Sequence, residues 1–197
     1  MNIFWFRRDL RIEDNVGLFH ALSSNEEVLP IFIFDEIILS ELPKDDARVT
    51  FIHEQLEKIQ SELNKIGKSL AVFHGNPIEV FTKLISENKI TSVYTNHDYE
   101  PYARKRDKEM NQLFVSKGIS FLTSKDQVIF EKSEVVKDDG TPYVVYTPYS
   151  KKWKENFRKI KLVHYPSEDK LDKIAKHSYP FLSLEDIGFE KSNIKVS

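Results

Sequence analysis

No cysteine occurs among the 197 residues. That absence removes disulfide scaffolds, Cys-ligated zinc, iron–sulfur clusters and thiol nucleophiles together, and it fits a reducing compartment. Glycine is scarce, with six residues in all, and none lies in the turn after the first apolar run. A G-x-G-x-x-G dinucleotide loop is therefore missing there, and no G-x-x-x-x-G-K-[ST] phosphate loop occurs anywhere. Neither sign of charge is in excess. Lys and Arg number 29 against 31 Asp and Glu, for a formal net charge of −2. A polybasic nucleic-acid binder is excluded, so any DNA contact would rest on a local patch or on another domain. Long apolar runs are lacking too. None approaches the roughly 18 residues of a membrane span, and the opening MNIFWFRRDLR turns charged too soon for a secretory signal. The expectation is a soluble, cytoplasmic monomer without membrane contact. His20, His53, His74 and His97 are not spaced as metal ligands, and no metal is expected.

What is present suits one α/β domain, or one with a tail, large enough to bury a core unaided. Short apolar, β-rich runs predict buried strands over 2–6, 28–34, 70–73, 92–96 and 119–123. Helical patterns fall between them. One spans 14–22 with Asp14 as N-cap. The longest spans 45–66, where Val49, Ile52, Leu56, Ile59, Leu63 and Ile66 form one stripe before Gly67. A third covers 77–88 behind Asn76 and Pro77, and a fourth covers 101–117 before Gly118. Strand–helix alternation of this kind builds a parallel sheet from right-handed crossovers. After Thr123 the alternation stops. Residues 125–134 read as an extended excursion, 138–142 as a turn, and a helix is expected from about Pro148. From Leu162 the chain is weakly periodic and reads as a linker or tail.

In open parallel sheets ligands sit beyond the carboxyl ends of the strands, where strand order reverses. Charge is concentrated there: Arg7 to Asn15 after the first strand, Asp35-Glu36 after the second, His97 to Asp107 after the fourth. Singly, such loops are ordinarily solvated. Arg48 near a helix start reads as exposed, Trp5 and Phe6 read as core, and Asp98 with Glu100 is a weak acid–base pair. Clustering after three separate strands is what points to a site. A basic cluster of Lys151, Lys152, Lys154, Arg158, Lys159 and Lys161 surrounds Trp153 and reads as a solvated helix face.

The segments Trp5-Phe6-Arg7-Arg8-Asp9-Leu10-Arg11 with Asp14-Asn15, Asp46 to Ile52, Asn96 to Asp107, and Gly140-Thr141-Pro142-Tyr143-Val144-Val145-Tyr146-Thr147-Pro148-Tyr149 with Trp153 occur in order. Together they resemble the photolyase/cryptochrome family over roughly residues 1 to 155. The resemblance implies a Rossmann-like three-layer α/β/α domain with a five-stranded parallel sheet of order 3-2-1-4-5. It divides the chain into a core over 1–130, an end with the TPY segment and a helix over 131–161, and an interdomain linker or tail over 162–197. A C-terminal helical domain holding FAD would be the partner, and damaged DNA the substrate of the whole flavoprotein. The chain would then be the antenna-binding N-terminal part of a deoxyribodipyrimidine photolyase, a light-driven lyase acting on cyclobutane pyrimidine dimers, and inactive alone. A cryptochrome-type light receptor and a stand-alone Rossmann-like nucleotide binder are the alternatives. The implied antenna is 8-hydroxy-5-deazaflavin or FMN, or methenyltetrahydrofolate. Its wall would be Phe34, Asp35, Glu36, Arg48, Asn96, Asp98 and Glu100, with Arg104 and Arg106 beside it. Aromatic and carboxylate groups suit a flat ring with N–H and hydroxyl donors, and Arg48 could pair with a ring oxygen or a phosphate. The segment Arg7 to Asn15, supporting the helical domain in the family, is expected to be exposed and partly disordered without it.

Overall fold

The computed structural model describes residues 1–194. Five strands form an all-parallel sheet of order 3-2-1-4-5: β1 (Asn2–Phe6), β2 (Val28–Asp35), β3 (Ala71–Gly75), β4 (Ser92–Asn96) and β5 (Ser120–Ser124). The expected fold class and strand order are those observed. β1 and β2 are buried along their whole length, as strands covered on both faces must be. Side chains alternate between two cores. Phe4, Phe6, Phe32 and Phe34 pack with Leu18, Leu56 and Leu63 under α1 (Val16–Leu22) and α3 (Ala47–Asn64). Ile3, Trp5, Ile31 and Ile33 pack with Phe81, Leu84, Met110 and Phe114 under α4 (Pro77–Glu87) and α5 (Pro101–Ser116). A single turn, α2 (Glu36–Leu39), follows β2. The expected stripe on α3 is buried at Val49, Leu56, Ile59 and Leu63.

One local expectation is corrected and two are made more definite. The N-cap of α1 is Asn15, whose Oδ1 accepts from Leu18 N at 3.1 Å. Asp14 instead adopts a positive φ of 46°, which aims its carboxylate at Tyr165 N, 2.8 Å away. Residues 125–134 leave the sheet as an irregular loop, as expected of the excursion. It is pinned where His97 Nδ1 and the Tyr99 hydroxyl meet Glu131 at 2.8 and 2.6 Å, and it ends in a 3-10 turn over Lys132–Glu134. The last helix, α6 (Tyr146–Phe157), starts two residues before Pro148. Proline is tolerated in a first turn because its missing N–H has no intrahelical partner there.

The segment expected to be a free linker or tail is packed. Ile174, Leu184, Ile187 and Phe189 complete the core beneath α1 and α3. Ala175 N donates to Val28 O at 2.8 Å, and Val72 N to Pro180 O at 3.1 Å. This wrap is built from extended chain and a 3-10 turn over Ser167–Lys173. It buries isolated anchors without helical or strand periodicity, which is why the residue pattern carries no sign of it.

Gly17 marks the tightest contact between layers. A Cβ there would lie 2.6 Å from Asn96 Oδ1 and 2.9 Å from Phe4 Cε2, and its N–H already donates to that oxygen at 2.9 Å. Alanine would gain about 1 kcal/mol in helix propensity. Overpacking of about 1–3 kcal/mol and a damaged buried hydrogen bond outweigh that gain. Gly17→Ala is expected to lose about 2 kcal/mol in urea unfolding, and an unshifted midpoint would contradict the close approach.

Candidate functional site

The crossovers from β1 and β4 leave toward opposite layers, so the sheet opens at its carboxyl edge between them. A buried polar clamp closes the floor of that opening. Asn96, at the end of β4, donates from Nδ2 to Asp9 Oδ2 at 2.5 Å and to Asn15 Oδ1 at 2.9 Å. Asp9 also accepts from Arg7 N at 2.9 Å and from Asn15 Nδ2 at 3.2 Å. Arg11 grips Asp126 through both terminal nitrogens at 2.8 Å, and Asp126 also accepts from Val16 N. The segment Arg7 to Asn15, expected to be exposed and short of partners, is therefore mostly tied down. Its buried polar groups require internal partners, and β4, α1 and the loop after β5 supply them. Arg8, Arg11, Glu13 and Asp14 are exposed as expected, and Arg8 lies 3.3 Å from Glu100 and 3.7 Å from Asp98.

Beside the clamp lies a second cluster, on the α5 side. The guanidiniums of Arg7 and Arg106 stand 4.4 and 4.9 Å from the centre of the Trp5 ring. Arg7 Nη1 donates to Asp107 at 2.8 Å. Burial, together with the like charge of Arg106, holds the pKa of Arg7 below its ordinary value. Nε and Nη2 of both arginines, and Asp107 Oδ1, are buried without a hydrogen-bond partner among the described residues. Asp35 caps α2 through Ile37 N at 3.1 Å, accepts from the Tyr102 hydroxyl at 2.7 Å, and lies 3.8 Å from Arg106. Burial, then the Asp35 carboxylate, pushes the Tyr102 hydroxyl well above the usual phenol range.

Tyr102 and Arg106 are four residues apart on α5 and so share a face. That face, with Lys105 and Glu109 beside it, walls a cleft of about 280 Å³ whose other sides are Ile37, Asn76, Pro77, Ile78 and Glu79. Asn76 Oδ1 caps α4 at Ile78 N, 2.9 Å away, and so fixes that wall. The cleft thus offers apolar surface, one phenol, one buried guanidinium with unpartnered donors, and a charged rim of Glu79, Lys105 and Glu109. Such a set suits a flat, oxygen-bearing ring. A second hollow of about 430 Å³ lies along β4 and β5, lined by His20, Tyr94 and Leu122, with no charged groups converging on it.

The residues predicted for a site divide among five places. Asp35 and Arg106 meet at the cleft, and Glu36 lies exposed on α2 beside it. Asp98 and Glu100 face Arg8, and Asn96 is locked in the clamp. Phe34 is buried against Phe32 and His53 in the core under α3 and does not line the cleft. Arg48 and Arg104 are exposed, and Arg48 pairs with Asp46 at 2.7 Å. Tyr102, Asn76, Ile37 and Ile78 were missed. The signal existed, because the carboxyl end of the third strand, His74-Gly75-Asn76, belongs to the same carboxyl edge as the other three.

This geometry has relatives among known proteins. A profile of the family described as DNA photolyase matches residues 2–169. An uncharacterized 31.6 kDa protein of Synechococcus sp. (strain PCC 6716) is 31% identical over 98% of this chain and 68% of its own length. A deoxyribodipyrimidine photo-lyase of Synechococcus sp. (strain ATCC 27144 / PCC 6301 / SAUG 1402/1) is 32% identical over 77% of this chain, which spans only 31% of that protein. A relative named Cryptochrome-1, from Spalax judaei, is 22% identical. Among solved structures, an archaeal photolyase from Sulfolobus tokodaii with two FAD molecules superposes with a TM-score of 0.69 and 27% identity, over 95% of this chain and 41% of that one.

Arg48 and Asp46 give a pH test of the helix that borders the edge. The Arg48 side chain, with the N–H groups at the start of α3, holds Asp46 down to about 2. A depressed carboxylate stabilises the fold above its ordinary pKa of about 3.9, and the contribution is lost as pH falls through about 2. Asp46→Ala is therefore expected to cost about 1 kcal/mol at pH 7 and progressively less below pH 4. Urea midpoints of both proteins at pH 7 and pH 2.5 measure the difference. A gap that does not close in acid would mean that the carboxylate charge is not its source.

Proposed function

Because the chain belongs to the DNA photolyase family, we propose that it is the N-terminal, antenna-binding domain of a deoxyribodipyrimidine photolyase. The observation that carries the reading is the cleft at the carboxyl edge, where buried Arg106 keeps two donor nitrogens unpartnered beside Tyr102 and apolar walls. Its volume is at the lower limit for ligand pockets, enough for a ring system and not for a long tail. When bound, an antenna of the flavin or folate kind supplies absorption of near-ultraviolet or blue light and hands the excitation to a flavin. The chain's own residues hold and orient it. Ile37, Pro77 and Ile78 exclude water from the ring face. Asp35 fixes the Tyr102 hydroxyl, so the phenol ring stays in place as the side wall. Arg106 is held on Trp5 and offers its free N–H groups to a ring oxygen or a phosphate. Asp98, Glu100 and Arg8 would meet whatever extends from the cleft toward β4. FAD and the dimer-repair chemistry would belong to a helical part outside this chain, since the chain spans about a third of the photo-lyase it matches.

The division proposed is a core over residues 1–130, an end over 131–161 and a connector from 162 onward. The exposed apolar surface supports a partner on that end. Val144 is 89% exposed and Tyr146 78%, Val145 between them is exposed, and Leu162 and Val163 are exposed beyond the following helix. Surface of this kind calls for cover, and the downstream part of the natural chain is the assigned occupant. Repair is preferred to cryptochrome-type signalling because the identity to a photo-lyase, 32%, exceeds the 22% to a cryptochrome.

The test is titration of the purified chain with FMN, 8-hydroxy-5-deazaflavin and methenyltetrahydrofolate, read by ligand fluorescence. At least one is expected to bind. Tyr102→Ala and Ile78→Glu are each expected to weaken it at least tenfold, while Arg48→Ala leaves it unchanged. Failure of all three ligands would overturn the antenna reading. Loss with Arg48→Ala or Asp98→Ala and not with Tyr102→Ala would move the site out of the cleft.

A further inference from the structure

The strand order leaves two edges to the sheet, β3 and β5. The wrap covers the first. Val72 N donates to Pro180 O at 3.1 Å, and Tyr179 meets the Phe73 ring at 5.4 Å. Among the described residues no segment pairs with the outer side of β5. The ladder shows which backbone groups are left there. Ser120 N donates to Thr91 O at 3.1 Å, and Ser124 O accepts from His97 N at 2.8 Å. Residues 120, 122 and 124 therefore turn their N–H and C=O groups toward β4. Phe121 and Thr123 turn theirs outward, and no hydrogen bond meets them among the described residues.

Open edges are ordinarily blunted by charge, proline or a bulge. β5 reads Ser-Phe-Leu-Thr-Ser and pairs with β4 in unbroken register. It carries neither charge nor proline, in a chain of which 30% is charged. Its apolar side chain is uncovered as well. Leu122 stands opposite Tyr94, is 43% exposed, and borders the hollow of about 430 Å³ beside His20. α1, seven residues long, is too short to close that face.

We propose that β5 pairs antiparallel with β5 of a second copy of this chain, across a two-fold axis at Leu122, to make one continuous sheet. The strand is self-complementary in that register. Phe121 faces Thr123 of the second copy, and Thr123 faces its Phe121. The outward groups of each pair exchange two hydrogen bonds, four in all. Leu122 meets Leu122 at the non-hydrogen-bonded position between them, where side chains lie closest, and the two cover the open side of the hollow. An aromatic residue opposite a β-branched one is a favourable cross-strand pair, and no position from 120 to 124 is charged. The contact is isologous and closes at two copies. Antiparallel pairing points the two carboxyl edges in opposite directions, so each cleft stays open. A dimer replaces the monomer expected from the sequence. A strand pair is small against the roughly 1,000 Å² of a stable interface, so association is weak, with a Kd of about 100 μM.

Sedimentation velocity of the 197-residue chain, between about 5 and about 500 μM, is expected to pass from the 23.1 kDa monomer to a species of twice that mass. Thr123→Pro removes an N–H that is unpaired in the monomer, which an edge strand tolerates. The dimer loses that bond in both copies and should weaken at least tenfold. Thr123→Val keeps the N–H and should dimerise as the parent does. Leu122→Lys sets like charges directly opposite and should also weaken the dimer at least tenfold. Circular dichroism checks that each variant is folded, and Leu122→Lys carries the test if the proline variant is not. The lack of cysteine allows a test of register. Cα atoms about 4.5 Å apart at the axis are within disulfide reach. Leu122→Cys should therefore form a disulfide-linked dimer in air, while Ser120→Cys, which faces Ser124, should not. A monomer at the highest concentration would overturn the proposal. So would a dimer that folded Thr123→Pro and Leu122→Lys leave intact, or one abolished by Val144→Asp instead, which would put the contact before α6. Antenna titration is a separate measurement, so failure here leaves the cleft reading standing.

Discussion

The geometry of the carboxyl edge depends on Asn96. Its amide joins the end of β4 to the carboxylate of Asp9, to the cap of α1 and to the first turn of that helix. Asp9 is 4% exposed, and a carboxylate that deep is tolerable only because donors surround it. The arrangement is mutual. The Asn15 oxygen that caps α1 also accepts from Asn96, and Asn96 sits this close because residue 17 has no side chain. A purely apolar floor would pack as well but would not fix the direction in which the chain leaves β1. Here the charged segment after β1 is committed to one path, and that path brings Arg7 and Arg8 to the edge.

With the floor fixed, the wall follows. Trp5 points into the α4–α5 layer by strand alternation from Phe4 and Phe6, which point the other way. Its ring then provides a surface for two guanidiniums that would otherwise repel one another in a buried site. Asp107 and Asp35 balance them, one by a direct hydrogen bond and the other at 3.8 Å. The balance is complete in charge and incomplete in hydrogen bonds, since four guanidinium nitrogens and one carboxylate oxygen lack partners among the described residues. A core built for stability alone would not leave that many donors unmet. Two of the unmet donors belong to Arg106, which lines the cleft, and a ligand or ordered water there would complete them.

Most of this architecture is legible in the residue patterns. Continuous apolar runs locate all five strands within a residue or two, and Asn76-Pro77, Gly67 and Gly118 mark helix ends because their backbone chemistry allows little else. The order of the strands comes from family resemblance, not from the pattern. The partial failures have physical causes. Asp14 and Asn15 are both good caps, and only the distant Tyr165 amide decides between them. Arg48 and Arg106 look alike in sequence, yet one lies at an exposed helix start and the other four residues from Tyr102 on a buried face. The wrap after Leu162 buries Ile174, Leu184, Ile187 and Phe189 one at a time, with no period to reveal them. Tyr102 lies inside the family-like segment Asn96 to Asp107, but its role depends on Asp35, 67 residues away in the chain.

The molecule divides on the same grounds into a firm part and a responsive part. The sheet, the helices α1, α3, α4 and α5, and the wrap share two continuous cores. α6 has no buried residue. It is held by the Phe130–Trp153–Phe157 stack and by Asn156 Nδ2 donating to Glu134 O at 3.1 Å. Glu134 in turn belongs to the loop pinned by Lys125, His97 and Tyr99. Local stability tracks buried apolar surface, so α6 and the exposed valines before it form the least anchored unit. A unit of that kind gains the most from a partner, because interactions made there add to few existing ones. The uncovered apolar side chains around α6 fall on this unit, while the cleft lies against the rigid sheet. The two surfaces are therefore physically separate.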